Sequence, residues 1–571
     1  MMDRSFLKEM WNLVRIYWSS EERWRARTLL AAVVLLNLAF VYMLVLLNKW
    51  NNRFYNSLQN YDINSFWSLL GEFSLLAFIY IIIAVYALYL QQMLEINWRR
   101  WLTGRYLRTW LHGQTYYRLQ LLEHSTDNPD QRISEDLNLF TALTLKLSVG
   151  LLRATVTLVS FIIILWDLSG EFILPLGGHE LAIPGYLVWT AIVYAVLGTW
   201  LTAKIGRPLI GLNYHQQRYE ADFRFSLMRL RENSESIAFY GGERQEEKNF
   251  AYRFKKVFEN FRAIMLRQKR LTWFVSGYSQ IAIIFPILVV APRYFSGQLA
   301  LGGLMQTALA FEKVQNALSF FVESYTSLAE WRAVVNRLLG FDANIKQVNS
   351  PPEGETVKVI DASDPGLVLS GLDVALPDGT RLINRLELKL AAGDSLLITG
   401  QSGCGKSTLM RAMAGIWPFG QGTVSRPSGQ TMLFLPQKPY LPQGTLREVL
   451  LYPHGTGLIT DNRIKEIMAM CRLSEFTEKL DVADQWSHIL SLGEQQRIAF
   501  ARAMLQRPQW LFMDEATSAL DEVTERLLYK QVKEQLKGTA MISVGHRNTL
   551  TAYHKMKLSL DAKGGWSLLQ L

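Results

Sequence analysis

Nine consecutive residues near the middle of the C-terminal half have the composition and spacing of a loop that binds nucleotide phosphates. They read Gly-Gln-Ser-Gly-Cys-Gly-Lys-Ser-Thr. In such a loop the glycines let backbone N–H groups close around the β- and γ-phosphates, the lysine brings a positive charge, and the serine after it offers a hydroxyl to Mg²⁺. The residues predicted to hold the nucleotide are Gly400, Gln401, Ser402, Gly403, Cys404, Gly405, Lys406, Ser407 and Thr408.

Three apolar segments downstream of this loop end in polar residues that suit phosphoryl transfer to water. Met432–Gln437 ends in a glutamine that would reach Mg²⁺ and the attacking water, and Trp510–Glu515 ends in two carboxylates. Ala540–His546 ends in a histidine able to hydrogen-bond the γ-phosphate. We therefore predict a catalytic set of Glu515 as general base with His546 and Gln437, and an Mg²⁺ set of Ser407, Gln437 and Asp514.

The elements that must position these residues are those of an α/β nucleotide-binding domain. Ser395–Thr399 reads as a buried strand and Leu409–Ala414 as a helix, so the glycine-rich loop has the strand–loop–helix context that its chemistry requires. We expect this domain over residues 357–571, after a linker at 341–356 rich in Pro and Gly. Cys404 and Cys471 are the only cysteines, which excludes a disulfide framework and a cysteine-rich metal site.

The preceding residues predict a membrane-spanning domain at 29–340, after an amphipathic segment at 1–28. Hydrophobic residues make up 49% of the 571-residue chain, and the long apolar runs lie before about residue 325. A span needs roughly 20 apolar residues. Six runs qualify, the last weakened by Glu312, Lys313 and Glu323: Leu29–Leu47, Leu69–Leu90, Leu147–Trp166, Tyr186–Thr202, Phe274–Phe295 and about Leu304–Leu328.

The distribution of basic residues predicts which side of the membrane each loop occupies. The segment 167–184 contains no Lys or Arg, whereas 98–146 and 204–270 are rich in both. Positively charged loops stay in the cytoplasm, so the N-terminus, both long loops and the nucleotide-binding domain are expected there. The net charge of +10 has the same origin, and we expect no nucleic-acid partner. The two long loops are helical in pattern and are expected to extend the membrane helices towards the nucleotide-binding domain.

Ionisable residues inside the spans have two readings. Arg153 either lines a polar path or reaches back to the cytoplasmic interface. Glu312 and Lys313 either face a wet cavity or form an ion pair.

The full set of motifs resembles the ATP-binding cassette (ABC) transporters. Leu490–Arg497 is similar to the signature sequence of that family, and Ser518, Ala519, Leu520 and Asp521 resemble its D-loop. The resemblance implies ATP and Mg²⁺ as ligands. It also implies a dimer, because ATP in this family is sandwiched between the P-loop of one cassette and the signature of another. The signature residues expected to come from a partner chain are Ser491, Leu492, Gly493 and Glu494, with Leu492 and Glu494 departing from the usual glycine and glutamine.

The family often stacks adenine on an aromatic residue some way before the P-loop. Here Leu372–Arg381 contains no aromatic residue and offers Leu376 instead. Preference for ATP over GTP is therefore open.

Segments of the membrane half carry a second resemblance, to the SbmA/BacA-like and YddA-like bacterial proteins and to the peroxisomal fatty-acyl-CoA transporters of ABC subfamily D. Its charged groups are expected either to couple to the cassette or to form simple interhelical ion pairs. These segments are Asn97–Leu102, Tyr116–Gln120, Asp127–Asp136, Ile205–Leu209, Glu220–Arg224 and Glu235–Tyr240.

The two resemblances together imply an α-helical, six-span, exporter-type transmembrane domain fused to an α/β P-loop cassette. The expected protein is a homodimeric half-transporter in a bacterial inner membrane that uses ATP to move peptides or other bulky hydrophilic solutes, with uptake preferred. Two alternatives are a transporter of fatty acyl-CoA or another lipid, and a membrane-tethered regulatory ATPase. Fold analogy alone does not fix the direction of transport.

Overall fold

The computed structural model describes residues 4–121, 128–169, 171–176, 179–349, 356–455 and 459–571. The chain divides into two compact units. One comprises residues 1–109 and 127–343, and the other comprises residues 110–126 and 344–571.

Long helices build the first unit, because its sequence contains apolar runs of more than 18 residues. The helices up to residue 349 are α1 (Arg4–Trp18), α2 (Arg23–Gln59), α3 (Ile63–Leu111), α4 (Thr115–Gln120), α5 (Pro129–Gln131), α6 (Leu137–Ser169), α7 (Tyr186–Glu232), α8 (Ser234–Tyr240), α9 (Glu243–Phe295), α10 (Leu301–Glu323) and α11 (Tyr325–Asn349).

Among the described residues, five stretches are long and apolar enough to cross a membrane, and they contain the first five predicted spans. The sixth predicted span corresponds to α10, whose Glu312, Lys313 and several amides lower its hydropathy, so it remains a prediction. The five stretches are Arg23–Gln59, Ile63–Gln120, Pro129–Ser169, Tyr186–Glu232 and Glu243–Phe295.

Helix α10 lies among the other helices of this unit. It packs against α2, α6, α7 and α9. Phe311 and Val314 are buried there with Phe161 and Leu187. A helix surrounded by protein tolerates polar residues better than one that faces lipid, so the polar residues of α10 are compatible with a place among the spans.

The ionisable residues of the spans have local partners. Glu312 Oε1 and Lys313 Nζ lie 3.1 Å apart, which is the ion pair given above as one of two readings. The guanidinium of Arg153 lies 3.9 Å from the centre of the Phe40 ring. This contact is a cation–π interaction and leaves both readings of Arg153 open.

A charged segment within the first long basic loop forms an ion-pair cluster inside the first unit. Asp136 is buried, with 1% of its surface exposed. Its carboxylate accepts hydrogen bonds from Arg132 (2.7 Å) and from Arg337 of α11 (2.6 Å). For this group the interhelical ion pair expected as one alternative is therefore present.

The segment with no basic residue, between α6 and α7, contains a two-stranded antiparallel ribbon. Its strands are β1 (Glu171–Leu176) and β2 (His179–Pro184), with Glu171 opposite Pro184. The sequence predicts a loop at 167–184 and does not predict these strands.

The second unit contains a six-stranded and a four-stranded β-sheet, a short antiparallel pairing of Gly444–Thr445 with Ala483–Asp484, and helices around them. Its strands are β3 (Lys358–Ala362), β4 (Leu367–Ala375), β5 (Arg381–Leu390), β6 (Ser395–Gly400), β7 (Gly420–Pro427), β8 (Met432–Leu435), β9 (Gly444–Thr445), β10 (Ala483–Asp484), β11 (Trp510–Asp514), β12 (Ala540–Val544), β13 (Met556–Leu560) and β14 (Trp566–Gln570). Its helices are α12 (Lys406–Met413), α13 (Leu446–Leu451), α14 (Asp461–Met470), α15 (Trp486–Ile489), α16 (Leu492–Gln506) and α17 (Glu522–Gln535).

The larger sheet has six strands in the order β14-β13-β6-β12-β11-β8, all parallel except β14. The other has the order β3-β7-β4-β5 and is mainly antiparallel. Strands such as Trp510–Met513 are fully buried, as expected for parallel strands covered on both faces.

Residues 110–121 belong to this second unit although they include the end of α3, the helix that contains the second predicted span. Thr115 Oγ1 lies 3.0 Å from Asn349 Oδ1. Leu121 packs against the core of the sheets. Part of the first long basic loop thus folds with the nucleotide-binding domain.

Candidate nucleotide site

The parallel strands of the larger sheet bring the predicted site residues to one edge. In register, Met513 lies opposite Leu435, Asp514 opposite Val544, and Val544 opposite Ile398. The residues that follow these strands therefore leave the sheet side by side. Ligands of open α/β sheets bind at this carboxyl edge.

The glycine-rich loop joins β6 to α12 as predicted, and two of its glycines have a visible structural reason. Gly400 has φ +152°, and a methyl group there would lie 2.5 Å from the carbonyl oxygen of Leu560. Gly405 has φ +96° and precedes the first residue of α12. Both conformations favour glycine, so the loop needs these residues for its path as well as for access to phosphate.

Lys406 and Ser407 open α12 inside this loop. Lys406 is buried, and its Nζ donates to the carbonyl oxygens of Gly400 (3.0 Å) and Gln401 (2.9 Å). Ser407 Oγ donates to Asp514 Oδ1 at 2.9 Å. Burial raises the pKa of Asp514, and the hydrogen bond from Ser407 partly opposes that shift. The structure thus brings together two of the three predicted Mg²⁺ ligands.

Glu515 is held between the other two predicted catalytic residues. Its Oε1 lies 3.2 Å from His546 Nε2, and its Oε2 accepts a hydrogen bond from Gln437 Nε2 at 3.3 Å. Glu515 has a left-handed φ of +48°, which is strained for a residue with a side chain. This conformation turns the chain sharply after β11. The Glu515 carboxylate then lies between Gln437, which follows β8, and His546, which follows β12, and these two strands flank β11.

The signature segment begins helix α16 with a reciprocal cap. Ser491 Oγ accepts from the backbone N–H of Glu494 (3.3 Å), and Glu494 Oε2 accepts from the backbone N–H of Ser491 (2.8 Å). Such a capping box needs Glu or Gln at this position. Glu494, which stands where glutamine is usual, therefore preserves the cap.

The signature residues have no direct link to the P-loop of their own chain. Among the described residues, no hydrogen bond joins residues 491–494 to residues 400–408, as expected if this segment serves a partner chain. Instead, Gly493 lies against the D-loop, where an added methyl would sit 3.3 Å from the carbonyl oxygen of Ala519.

Gln496 was not singled out from the sequence, yet it connects three functional segments. It is completely buried. Its Nε2 donates to Gln437 O (2.9 Å) and Ser518 Oγ (3.0 Å), and its Oε1 accepts from the backbone N–H of Ala519 (3.0 Å). One amide therefore ties the signature helix to the predicted catalytic glutamine and to the D-loop.

Glu525 is a second residue that sequence reasoning missed. Only 1% of it is exposed. Its carboxylate accepts from Thr517 (2.6 Å) and Thr549 (2.6 Å), and lies 3.4 Å from Arg547. Thr517 lies two residues after Glu515, and Arg547 directly follows His546. The Glu525 carboxylate therefore positions the backbone next to Glu515 and next to His546.

The D-loop passes directly into helix α17. Asp521 is the N-cap of that helix and accepts from the backbone N–H of Thr524 at 2.8 Å. This bond and the one from the Thr524 hydroxyl lower the pKa of Asp521. The carbonyl oxygen of Leu520 accepts from Arg547 at 2.9 Å. These bonds fix the C-terminal end of the D-loop, and the contacts of Gln496 with Ser518 and Ala519 fix its N-terminal end.

The donor set fits Mg²⁺ and a phosphate chain. Hydroxyl, carboxylate and amide oxygens are ligands that Mg²⁺ prefers. Ser407, Asp514 and Gln437 supply one of each at the same edge of the sheet. Leu376, considered above as a contact for the base, forms a turn with Thr380 (2.8 Å) and packs against the core of the sheets.

Fold and site together define a P-loop nucleoside triphosphatase domain in a chain with several candidate membrane spans. Two family models agree with this class: residues 13–295 match the ABC transporter transmembrane region 2, and residues 383–518 match the ABC transporter ATPase model. The chain belongs to the ABC transporter family, with membrane and ATPase domains fused.

Relatives similar over nearly the whole chain support the same assignment. The inner membrane ABC transporter ATP-binding protein YddA of Escherichia coli is 34% identical over 94% of this chain and 94% of its own length. The ABC transporter D family member 2, chloroplastic, of Arabidopsis thaliana is 34% identical over 98% of this chain and 86% of its own. The human lysosomal cobalamin transporter ABCD4 is 29% identical over 100% of this chain and 97% of its own. The predicted resemblance to subfamily D and to YddA-like proteins is confirmed.

A solved structure confirms the predicted exporter-type fold. A bacterial Atm1-family ABC exporter with ATP bound superposes with a TM-score of 0.72 over 94% of each chain. The two sequences are 16% identical, so this likeness concerns the fold alone.

Proposed function

We propose that this half-transporter acts as a homodimer in a bacterial inner membrane and uses ATP to move a bulky hydrophilic solute, preferably by uptake. The observation that carries the proposal is the cluster of Asp514, Glu515, Gln437 and His546 beside the P-loop, in a chain with five candidate membrane spans. An ATPase site coupled to spans is the arrangement of a transporter rather than of a soluble enzyme.

The proposed roles follow from the contacts. Ser407, Asp514 and Gln437 would hold Mg²⁺, which when bound neutralises charge on the phosphates. Glu515 would take the proton of the attacking water, since Gln437 and His546 each fix one of its carboxylate oxygens. The signature residues 491–494 would complete the site of the partner copy, because they are presented at a capped helix start.

Peptides remain our first cargo candidate and acyl-CoA or another lipid the second. Cargo other than peptides is also compatible with the relatives, because one of them is named as a transporter of cobalamin, which is not a peptide. A regulatory ATPase without cargo is the third possibility. The likeness to an exporter bears on fold and does not decide direction.

The test is transport in vesicles of known orientation. The full chain is reconstituted, and ATP-dependent movement of a labelled peptide and of a labelled acyl-CoA is scored for direction, with the Glu515→Gln variant as the matched control. Movement of peptide towards the cassette side supports the proposal. Movement of acyl-CoA alone favours the lipid alternative, and ATP turnover without movement of either compound favours a regulatory ATPase.

A further inference from the structure

A cavity of about 610 Å³ lies among α7, α9, α10 and the start of α11, entirely within the first unit. Its α7 wall is a single helix face, since Thr199, Thr202, Gly206 and Asn213 recur at spacings of three, four and seven residues. Small residues make room for it, and a methyl group at Gly198 would collide with the ring of Tyr278. The lining of α7 begins in the predicted fourth span and continues into the helix beyond it.

The walls of this cavity are rich in uncharged polar groups. Gln315 and Asn316 of α10 line it together with Ser279 of α9. Gln315 is 7% exposed, and Thr199 Oγ1 is buried with no hydrogen-bond partner in the described part of the chain. Buried polar groups are nearly always paired, so an unpaired hydroxyl on a cavity wall indicates a site for water or solute.

The described lining of the cavity carries charge of one sign. Among the lining residues whose side chains the structure describes, Arg207 is the only Lys, Arg, Asp, Glu or His, and none is a carboxylate. Glu312 of α10 pairs with Lys313 and also accepts from Asn316 at 3.4 Å. At the described lining a cationic solute would therefore meet the positive charge of Arg207 and no carboxylate, whereas an anionic group would meet Arg207 and several amide and hydroxyl groups.

The geometry points to this cavity as a water-accessible solute site that takes compounds with an anionic group and several hydrogen-bonding groups. The inference rests on the proposed transport function and specifies the charge of the cargo within it. Basic peptides are then poor cargo, while acidic or neutral peptides and phosphate-bearing or carboxylate-bearing solutes are suitable.

Thiol labelling tests the electrostatics without a known ligand. A Thr199→Cys variant of the full chain is labelled with the anionic sulfonatoethyl and the cationic trimethylammonioethyl methanethiosulfonate reagents. Both native cysteines, Cys404 and Cys471, are buried and give a low background. The quantity measured is the ratio of the anionic to the cationic labelling rate, divided by the same ratio for free 2-mercaptoethanol. We expect this normalised ratio to be on the order of ten, and we expect Arg207→Gln to bring it close to one.

Two variants control this measurement. Arg207→Lys keeps the charge and should keep the ratio. Lys204→Gln removes a cation from the same helix that lies over the Trp200 ring and does not line the cavity, so it should leave the ratio largely unchanged. A ratio at or below one, a ratio insensitive to Arg207→Gln, or no reaction with either reagent overturns the inference.

Stimulation of ATP turnover identifies the source of the anionic group. Palmitoyl-CoA, a glutamate-rich octapeptide and a lysine-rich octapeptide are added to the protein in nanodiscs of zwitterionic lipid, and anionic phosphatidylglycerol is added in a separate arm. Stimulation by an anionic probe that is lost in Arg207→Gln supports the site, and stimulation by the lysine-rich peptide alone overturns it. If the labelling result holds but none of the probes stimulates turnover, the transport proposal fails while the charge of the cavity stands.

Discussion

Replacing Gln496 by leucine tests whether one buried amide holds the catalytic segments together. The change removes three hydrogen bonds of 2.9 to 3.0 Å, to Gln437, Ser518 and Ala519, from a side chain that has no exposed surface. Each such bond is worth about 1 kcal/mol, and a buried partner left unpaired costs more. We therefore expect the cassette to lose at least about 3 kcal/mol of folding free energy.

The assay combines calorimetry with ATP turnover. For a domain of this size 1 kcal/mol shifts Tm by roughly 2 to 4 °C, so Gln496→Leu should lower the Tm of the cassette by about 10 °C. Turnover should also fall at temperatures where the variant is still folded, because the D-loop and Gln437 lose their common anchor. Gln496→Glu keeps an acceptor for the Ala519 N–H but sets a carboxylate oxygen against the carbonyl oxygen of Gln437, so it should be destabilised as well.

The matched control is Gln506→Met in the same helix. Gln506 makes a single hydrogen bond, to the carbonyl oxygen of Tyr452 at 2.7 Å, and lies outside the site. Its loss should cost about 1 kcal/mol or less. If Gln496→Leu changes Tm no more than Gln506→Met does and leaves turnover intact, the bridging role of Gln496 is refuted.

The other predictions concern single groups in the cassette. Glu515→Gln should lower ATP turnover by roughly 100-fold or more while a fluorescent ATP analogue still binds, and normal turnover would remove Glu515 as the base. Ser491→Arg should block turnover through charge and bulk at the dimer interface, and full activity in that variant would argue against a shared site. Arg447 lowers the pKa of Asp481 and Asp461 by hydrogen bonding, with Nε 2.8 Å from Asp481. This stabilisation is present above about pH 4 and is lost as pH falls through the lowered pKa values, so the Tm difference between wild type and Arg447→Met should shrink at acid pH. Burial raises the pKa of Cys471 to about 12, so iodoacetamide at pH 8 should modify it after unfolding in guanidinium but not in the folded protein.

Much of the nucleotide fold was predictable because its strands are short, apolar and end in reactive residues. The predicted strands before the P-loop and before Asp514 agree with β6 and β11. Parallel strands necessarily bring their carboxyl ends to one edge, so the order of motifs was enough to predict their proximity. The catalytic and ligand roles of these residues stay predictions.

The residues that hold the site together were not predictable from local pattern. Glu525 lies in a charged helix, where its sequence context predicts a solvent-exposed side chain. It is buried instead, because it pairs with residues distant in sequence such as Thr549, 24 residues away. Gln496 is one of two adjacent glutamines, and only tertiary packing distinguishes its contacts from those of Gln495, which bonds to Ser487 and Leu490. Helix α10 was also hard to identify as a span from local pattern, because its polar residues lower its hydropathy. Neighbouring helices accommodate these polar groups.

The length of α7 and α9 has a mechanical consequence. They contain 47 and 53 residues, so at 1.5 Å per residue each is about 70 to 80 Å long, more than twice the roughly 30 Å hydrocarbon thickness. A tilt of only a few degrees at one end of such a rod displaces the other end by several ångströms. Pro208 interrupts the hydrogen bonding of α7 next to Arg207, which makes that point the most compliant part of the rod. Movement of the far ends of these helices would therefore change the width of the cavity at the wall that carries Arg207.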